Sequence, residues 1–192
     1  YINEQFIKEY NKNKLHTKNN EWIEKLSKKL PVNFNEKRKI GENDNPICKI
    51  IRDDSIKDFI NYIKQTNISL QDSIDISIYE TNSFLLKKKK ISLIEYAAFF
   101  GSVKIFKYIN QKGIELEPSL WIYAIYGNNM DIIIHLNKFL PKQTNVFYFN
   151  SYIKSIKCHH IRITNCIYER HLNDINSSIV TMKCLKYYNF AF

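Results

Sequence analysis

The stretch that decides the fold is SLIEYAAFFGSVKIFKYI at residues 92–109, which recurs 27 residues later as SLWIYAIYGNNMDIIIHL at residues 119–136. Ser, Leu, Tyr and Ala coincide in the two copies, and apolar residues follow helical spacing on both sides of a short break. Gly101 and Asn128 occupy that break, and both residue types tolerate a left-handed backbone. Each copy therefore predicts two helices joined by a tight turn.

Weaker copies extend the pattern in both directions. A third copy contains Ser155, a truncated fourth contains Cys184, and a degenerate copy covers residues 50–63. Helical pairs that recur at this interval are typical of a helical solenoid, in which each pair buries its apolar face against its neighbours. The sequence therefore predicts an all-α fold of stacked helix–turn–helix units.

The same alignment predicts which side chains form the core. Ala97, Ala98 and Ala124 are small, and we expect them where two helices approach closely. The apolar runs at residues 105–106 and 132–134 are expected to supply the buried ridge of each second helix.

The composition changes at about residue 45. Residues 1–45 are polar, with helical stretches such as 21–30, which Pro31 ends. We predict an irregular N-terminal region at 1–45 and one helical repeat domain at 46–192, in which residues 64–90 form an insert. The predicted units are residues 46–63, 91–113, 118–140 and 150–170 and a truncated unit at 178–192.

Residues 92–116 resemble the ankyrin repeat, whose pattern is T-P-L-H-x-A-A, then G-x-x-x-[IV]-V, then G-A-D-[VI]. Two positions depart from that pattern, because Leu93 replaces the Pro and Glu95 replaces the His. The second change removes the group that makes the turn hydrogen bonds of ankyrin. The matching residues are Ser92-Leu93-Ile94-Glu95-Tyr96-Ala97-Ala98, Gly101, Ile105-Phe106 and Gly113-Ile114-Glu115-Leu116.

Longer phrases resemble a large protist family of uncharacterised domains that occur beside ankyrin repeats. The resemblance covers residues 38–192, and it implies an ankyrin-like helical stack with no known activity. The phrases are RKIGEND at 38–44, IYETNSFLL at 78–86, IEYAAFFGS at 94–102 and KCHH at 157–160.

The ankyrin resemblance also implies where a partner binds. In ankyrin repeats the positions just before the turn glycine face the concave, partner-binding surface. The resemblance implies that Phe99, Tyr126 and Lys157 occupy these positions in successive repeats of this chain. Aromatic side chains offer large contact area at low entropy cost. The alternative is that these aromatics are buried against the neighbouring repeat. We predict a non-catalytic protein–protein interaction module whose partner is another protein.

Cys158, His159, His160 and Cys166 are the residues that could suggest a metal site. Zinc sites in proteins use about four thiolate or imidazole ligands in short paired spacings, and a second close pair is missing here. The repeat alignment places Cys158 to His160 in the turn between two helices. We favour a structural role for these residues and predict no metal and no cofactor.

Acidic residues and His135 give no catalytic pattern. Asp53 and Asp54 precede Ser55 and are predicted to cap the next helix. Asp72 and Asp75 lie in the insert, and His135 is predicted to be a packed or exposed helix residue. We therefore predict no catalytic residue and no enzymatic activity.

The net charge of +10 supports the alternative function, which is binding of nucleic acid or of an anionic surface. The one dense cluster is Lys87–Lys90, whose ordinary interpretation is a solvated loop. Only four Arg occur, although Arg is the usual side chain for reading bases and phosphates. We therefore rank binding of nucleic acid or of an anionic surface below binding of a protein partner.

Four scattered Cys without a C-x-x-C pair are typical of a reduced, intracellular protein, and we expect a cytoplasmic location. No apolar run is long enough to span a bilayer. Residues 1–10 alternate apolar and charged side chains, which differs from a signal peptide.

Overall fold

The computed structural model of the protein describes residues 30–172 and 177–189. This part of the chain is mostly helical and contains only two short strands. The result agrees with the predicted all-α class. The helix predicted at residues 21–30 lies almost entirely outside the described residues.

The elements follow one another with short connections. Two strands, β1 (Ser73–Asp75) and β2 (Lys90–Ser92), pair in a two-stranded sheet, and a 3₁₀ helix covers Leu85–Lys87. The helices are α1 (Phe34–Ile40), α2 (Pro46–Arg52), α3 (Ile56–Thr66), α4 (Leu93–Phe100), α5 (Val103–Gln111), α6 (Leu120–Tyr126), α7 (Met130–Phe139), α8 (Asn145–Lys157), α9 (Ile161–His171) and α10 (Ser177–Lys186).

The chain divides into two compact units. The smaller unit combines residues 75–89 with the described residues up to 45, and the larger unit contains residues 46–74 and those from 90 onward. In the smaller unit the Arg38 guanidinium donates to the backbone carbonyls of Ile78 and Glu80. Part of the predicted insert therefore packs with the N-terminal region, which the repeat pattern does not indicate.

Helices of two kinds alternate along the larger unit. The first helices are α2, α4, α6, α8 and α10, and each of the first four contacts the next one along the chain. The second helices α3, α5, α7 and α9 each contact the first helix that precedes them. We number these helical pairs 1 to 4, and α10 with its turn is position 5.

One turn geometry closes every first helix. The turn residue has a left-handed backbone with φ between 46° and 70°, and the next N–H donates to the carbonyl five residues earlier. The left-handed turns predicted at Gly101 and Asn128 are confirmed. The full set of turn residues is Asp54, Gly101, Asn128, His159 and Tyr188.

In pairs 2 to 4 these turn hydrogen bonds are accepted by the backbone carbonyls of residues with small side chains, and those residues are fully buried. Ala97, Ala124 and Ser155 each have 0% exposure, and Ala98 is also fully buried. The second helices bury Ile105, Phe106, Ile132 and Ile133 as predicted, but Ile134 is 44% exposed. The buried face of α7 is therefore narrower than the apolar run at residues 132–134 suggests, because Ile134 lies on the exposed side of the helix.

Candidate functional site

In pairs 2 to 4 and at position 5, the residue that follows the left-handed turn is hydrogen-bonded to the preceding helical pair. Asn129 Nδ2 donates to the Phe99 carbonyl oxygen at 2.8 Å, and Asn189 Nδ2 donates to the Ile156 oxygen at 2.9 Å. Ser102 Oγ donates to the Ile51 oxygen, and the His160 side chain is hydrogen-bonded to the Tyr126 backbone. These bonds hold the C-terminal ends of successive first helices side by side.

The candidate partner-binding residues all lie at those C-terminal ends. Each stands two residues before a turn residue, and together these positions form what we call the C-terminal row. The row consists of Arg52, Phe99, Tyr126, Lys157 and Lys186. Sequence reasoning named the middle three; Arg52 and Lys186 follow from extending the same register to the outer copies.

The structure places the three predicted residues at very different depths. Phe99 is buried at 7% exposure, and its ring packs edge-to-face on Phe100 with centroids 5.0 Å apart. Tyr126 is half-buried and Lys157 is exposed. The burial alternative therefore holds for Phe99, while Tyr126 and Lys157 present surface on the neighbouring helices α6 and α8.

Cations of the row lie over aromatic rings of the following helical pair. The guanidinium carbon of Arg52 is 5.8 Å from the ring centroid of Phe100, and Lys157 Nζ is 5.9 Å from that of Tyr187. A cation in the last turn of a helix also complements the helix dipole. Arg52 and Lys157 therefore stabilise the ends of their helices and contact aromatic rings, which accounts for part of the positive charge along the row.

Glu95 has hydrogen-bond partners both within α4 and on α6. Its carboxylate accepts from the Ser92 backbone N–H at 2.9 Å while the Ser92 hydroxyl accepts from the Glu95 N–H, which is a capping box. The Tyr123 hydroxyl is also hydrogen-bonded to Glu95, and burial raises the pKa of that phenol. Glu95 therefore stabilises the start of α4 and links pair 2 to pair 3.

The cysteine and histidine cluster does not assemble a ligand set. Among residues 30–172 and 177–189, no three His, Cys, Asp or Glu side chains come together as metal ligands. Cys158 to His160 lie in the turn between α8 and α9, where the repeat alignment put them, and Cys166 lies on α9. Burial raises the pKa of the Cys158 thiol, which disfavours the reactive thiolate.

The acidic residues have structural partners. The Asp54 carboxylate accepts from the backbone N–H groups of Lys104 and Ile105 at 3.1 and 3.0 Å. The prediction that Asp54 caps the helix directly after it is therefore wrong, since it caps α5 in the next pair. Asp53 pairs with Lys49 at 2.8 Å on the surface, and Asp72 accepts from the Ser69 N–H.

His135 is a packed helix residue. Its ring lies 5.6 Å from the Phe106 centroid and 4.5 Å from that of Phe139. Burial lowers its pKa, and Lys107 and Lys138 lower it further. The neutral imidazole has an Nε2 atom without a hydrogen-bond partner among the described residues.

The lysine cluster Lys87–Lys90 is exposed and spans the end of the 3₁₀ helix and the start of β2. In the described ranges no helix combines the length and apolarity needed to cross a membrane. Comparison of the chain with protein-family models, curated proteins and solved structures finds no match.

Proposed function

We propose that residues 46–192 form an ankyrin-like helical solenoid that acts as a non-catalytic protein–protein interaction module. The observation that carries the proposal is the repeated left-handed turn, which recurs five times with the same backbone hydrogen bond. Stacked repeats of this kind present one equivalent position per repeat on an extended surface, and repeat proteins bind partners through such surfaces.

The C-terminal row supplies the binding chemistry in this proposal. Tyr126 offers a half-buried ring that is held in place yet partly accessible, and Lys157 offers a cation on the adjacent helix. Phe99, the buried member of the row, contributes to packing and not to the contact surface. Aromatic side chains in such settings are enriched among the residues that dominate binding energy. A protein segment with apolar and acidic side chains is the complementary partner.

The experiment begins with affinity capture and chemical cross-linking from the source cell, followed by a binding assay with the captured protein. Tyr126→Ala should weaken binding by about 2 kcal/mol, as expected for a hot-spot aromatic. Tyr126→Phe is the matched control, and it should retain most of the affinity because the ring area is kept. Circular dichroism and thermal unfolding of both variants separate binding from folding.

The electrostatic alternative gives the opposite result in the same assay. A variant with all four residues Lys87–Lys90 changed to Ala should bind the partner as the wild type does. If that variant loses binding, and if wild-type affinity falls steeply between low and moderate salt, phosphate or surface binding replaces the proposed function.

A further inference from the structure

A second row of equivalent positions runs beside the C-terminal row on the first helices. It lies six residues before each left-handed turn residue, and in pairs 2 to 4 it contains Glu95, Ile122 and Ile153, which are all half-buried. We call these three residues the mid-helix row. Each of them stands four residues before a member of the C-terminal row, so the two positions lie on one face of their helix.

This surface lies inside the stack of helices. α4, α6 and α8 each contact a described first helix on both sides. We exclude position 5 from the surface, because α10 is the last described helix and Leu185 is 58% exposed there, whereas its equivalents Ile125 and Ile156 are fully buried. The partial exposure of the mid-helix row therefore belongs to helices that have neighbours on both sides.

Pair 2 contributes a negative charge to the surface. The Glu95 carboxylate accepts hydrogen bonds from the backbone N–H and the hydroxyl of Ser92, both at 2.9 Å, and it is hydrogen-bonded to the Tyr123 hydroxyl. These partners are neutral. They fix the position of the carboxylate and leave its charge to be complemented by a cation.

Pair 4 contributes positive charge, and pair 3 contributes none. Lys154 and Lys157 lie in the last turn of α8, a helix without acidic residues, and Lys157 is exposed. In pair 3 the two rows contain Ile122 and Tyr126, which are uncharged. From pair 2 to pair 4 the surface therefore changes from acidic through apolar to basic.

This order of charges restricts what can bind. A two-fold axis through pair 3 would bring Glu95 to Lys157 of a second copy, but it would also bring Arg52 of pair 1 to Lys186 of position 5, where like charges repel. An anionic membrane or a nucleic acid would place negative charge against Glu95. A short segment that spans only pairs 2 to 4, with the opposite order of charges, avoids both conflicts.

The separation of the helices sets the length of that segment. Packed helices lie about 8–10 Å apart, so pair 2 and pair 4 are separated by about 16–20 Å. An extended segment rises about 3.3 Å per residue and directs every second side chain to one face. Seven extended residues therefore span the surface, with charges at the first and last residues and apolar side chains at the third and fifth.

We propose that this surface binds an extended segment of a protein partner. The segment places a basic side chain against Glu95, two apolar side chains over the uncharged positions of pairs 3 and 4, and a carboxylate against the lysines of α8. This inference rests on the proposed interaction function and adds the order of chemical groups that the partner presents.

The probes are three seven-residue peptides with blocked termini, leucine at positions 3 and 5, and serine at the even positions. The first has arginine at position 1 and glutamate at position 7, the second has glutamate at both, and the third has arginine at both. In fluorescence anisotropy the full chain should bind the arginine–glutamate peptide at least about three-fold more tightly than either of the others.

General attraction to a protein of net charge +10 favours the two-glutamate peptide instead. Tightest binding of the two-glutamate peptide, equal binding of all three peptides, or binding of none therefore overturns the proposal.

Variants of the chain assign each end of the segment. Glu95→Gln removes the charge and keeps a hydrogen-bonding side chain, and it should abolish the preference for the arginine–glutamate peptide over the two-glutamate peptide. Lys154→Gln with Lys157→Gln should abolish the preference over the two-arginine peptide. Ile122→Ser should weaken the arginine–glutamate peptide, whereas Ile134→Ser on α7 is the matched control at another isoleucine and should leave binding unchanged.

Preferences that survive removal of the charges, or equal loss in Ile134→Ser, overturn the proposal. Circular dichroism checks the folding of each variant. If Glu95→Gln unfolds, the lysine variants still test the proposal, because those lysines take no part in the capping box.

Two other occupants are outcomes of the same set of proteins. A dimer in light scattering that Ile122→Ser converts to monomer assigns the surface to a second copy and overturns the proposal. A carbodiimide cross-link between Lys157 and a carboxylate of residues 1–29 within the free monomer assigns the surface to the chain itself and also overturns the proposal.

The peptides also separate this inference from the proposed function. If the peptide preferences fail while the captured partner still depends on Tyr126, only this inference is lost. If the peptide preferences hold and no captured protein depends on Tyr126, this inference stands and the C-terminal row of the proposed function is lost instead.

Discussion

Gly127 shows how closely neighbouring helical pairs approach at the level of a single atom. Its backbone has φ of −84°, which any residue adopts, so its requirement for glycine is steric. A Cβ at this position would lie 1.7 Å from the Phe99 carbonyl oxygen. Gly113 is the opposite case, because its φ is +94° and a Cβ there would have no other atom within 4 Å.

We expect Gly127→Ala to destabilise the protein by about 1–3 kcal/mol, because backbone atoms of pair 2 must move to admit the methyl group. Gly113→Ala is the control for conformational strain alone, with an expected cost of about 1–2 kcal/mol. Urea unfolding gives both values. Full wild-type stability in Gly127→Ala would show that the pairs are less closely packed at this turn.

His135 makes stability depend on pH. Burial holds the pKa of the folded His135 imidazole below its ordinary value, so the unfolded chain binds the proton more readily than the folded chain. Stability from this residue is present above the unfolded pKa and is lost as pH falls through the window toward the folded value. The groups around it act in the same direction, since Lys107 and Lys138 both disfavour the imidazolium.

We therefore predict that the free energy of unfolding decreases between pH 7 and pH 5, measured by urea titration at each pH. His135→Leu should reduce that dependence and leave stability at pH 7 unchanged or higher, because it removes a buried nitrogen that has no partner among the described residues. His160 and His171 also have lowered pKa values from burial and account for the remaining slope. An unchanged pH profile in His135→Leu excludes this role.

At the scale of elements, Asp54 links two helices that are distant in sequence. It adopts the left-handed turn after α2, and its carboxylate accepts from two N–H groups in the first turn of α5. Those N–H groups have no partner within the helix, so the carboxylate satisfies them and interacts favourably with the helix dipole.

Adjacent aspartates provide a matched test of this link. Asp54→Ala should cost about 0.5–2 kcal/mol, as the loss of a helix cap does. Asp53→Ala removes only a surface pair with Lys49 and should change stability by about 0.5 kcal/mol or less. Equal costs in thermal or urea unfolding would contradict the assignment of Asp54 as the cap of α5.

Local sequence patterns predict the turns of this fold, but they do not predict the contacts between helices that are distant in sequence. Gly101 and Asn128 marked their turns because residue type reports a left-handed backbone. The prediction that Asp54 caps α3 is wrong because a local pattern holds no information on α5, whose first turn lies about 50 residues away. The depth of Phe99 likewise depends on neighbouring pairs, and the exposure of Leu185 depends on which pair is last among those described.

At the scale of the larger unit, helices that have fewer neighbours should open more easily. α4 contacts α2, α5, α6 and β2, whereas α10 packs mainly against α8. In a stacked array, stability is close to a sum over pairs and nearest-neighbour interfaces. Native-state hydrogen exchange resolves such differences, because each amide reports the free energy of the opening that exposes it.

We predict that amides of α10 exchange fastest among the first helices and that those of α4 and α6 exchange slowest.

Asn189→Ala removes the buried hydrogen bond to the Ile156 carbonyl and should cost about 1–3 kcal/mol, because that interface loses its donor. The loss should accelerate exchange in α10 roughly ten-fold or more and leave α4 nearly unchanged. Ser102→Ala, which removes the tie from pair 2 to Ile51, is the control and should act on α2 and α4 instead. Uniform acceleration across all helices in both variants would mean that the array opens as one cooperative unit, and the nearest-neighbour description would then fail.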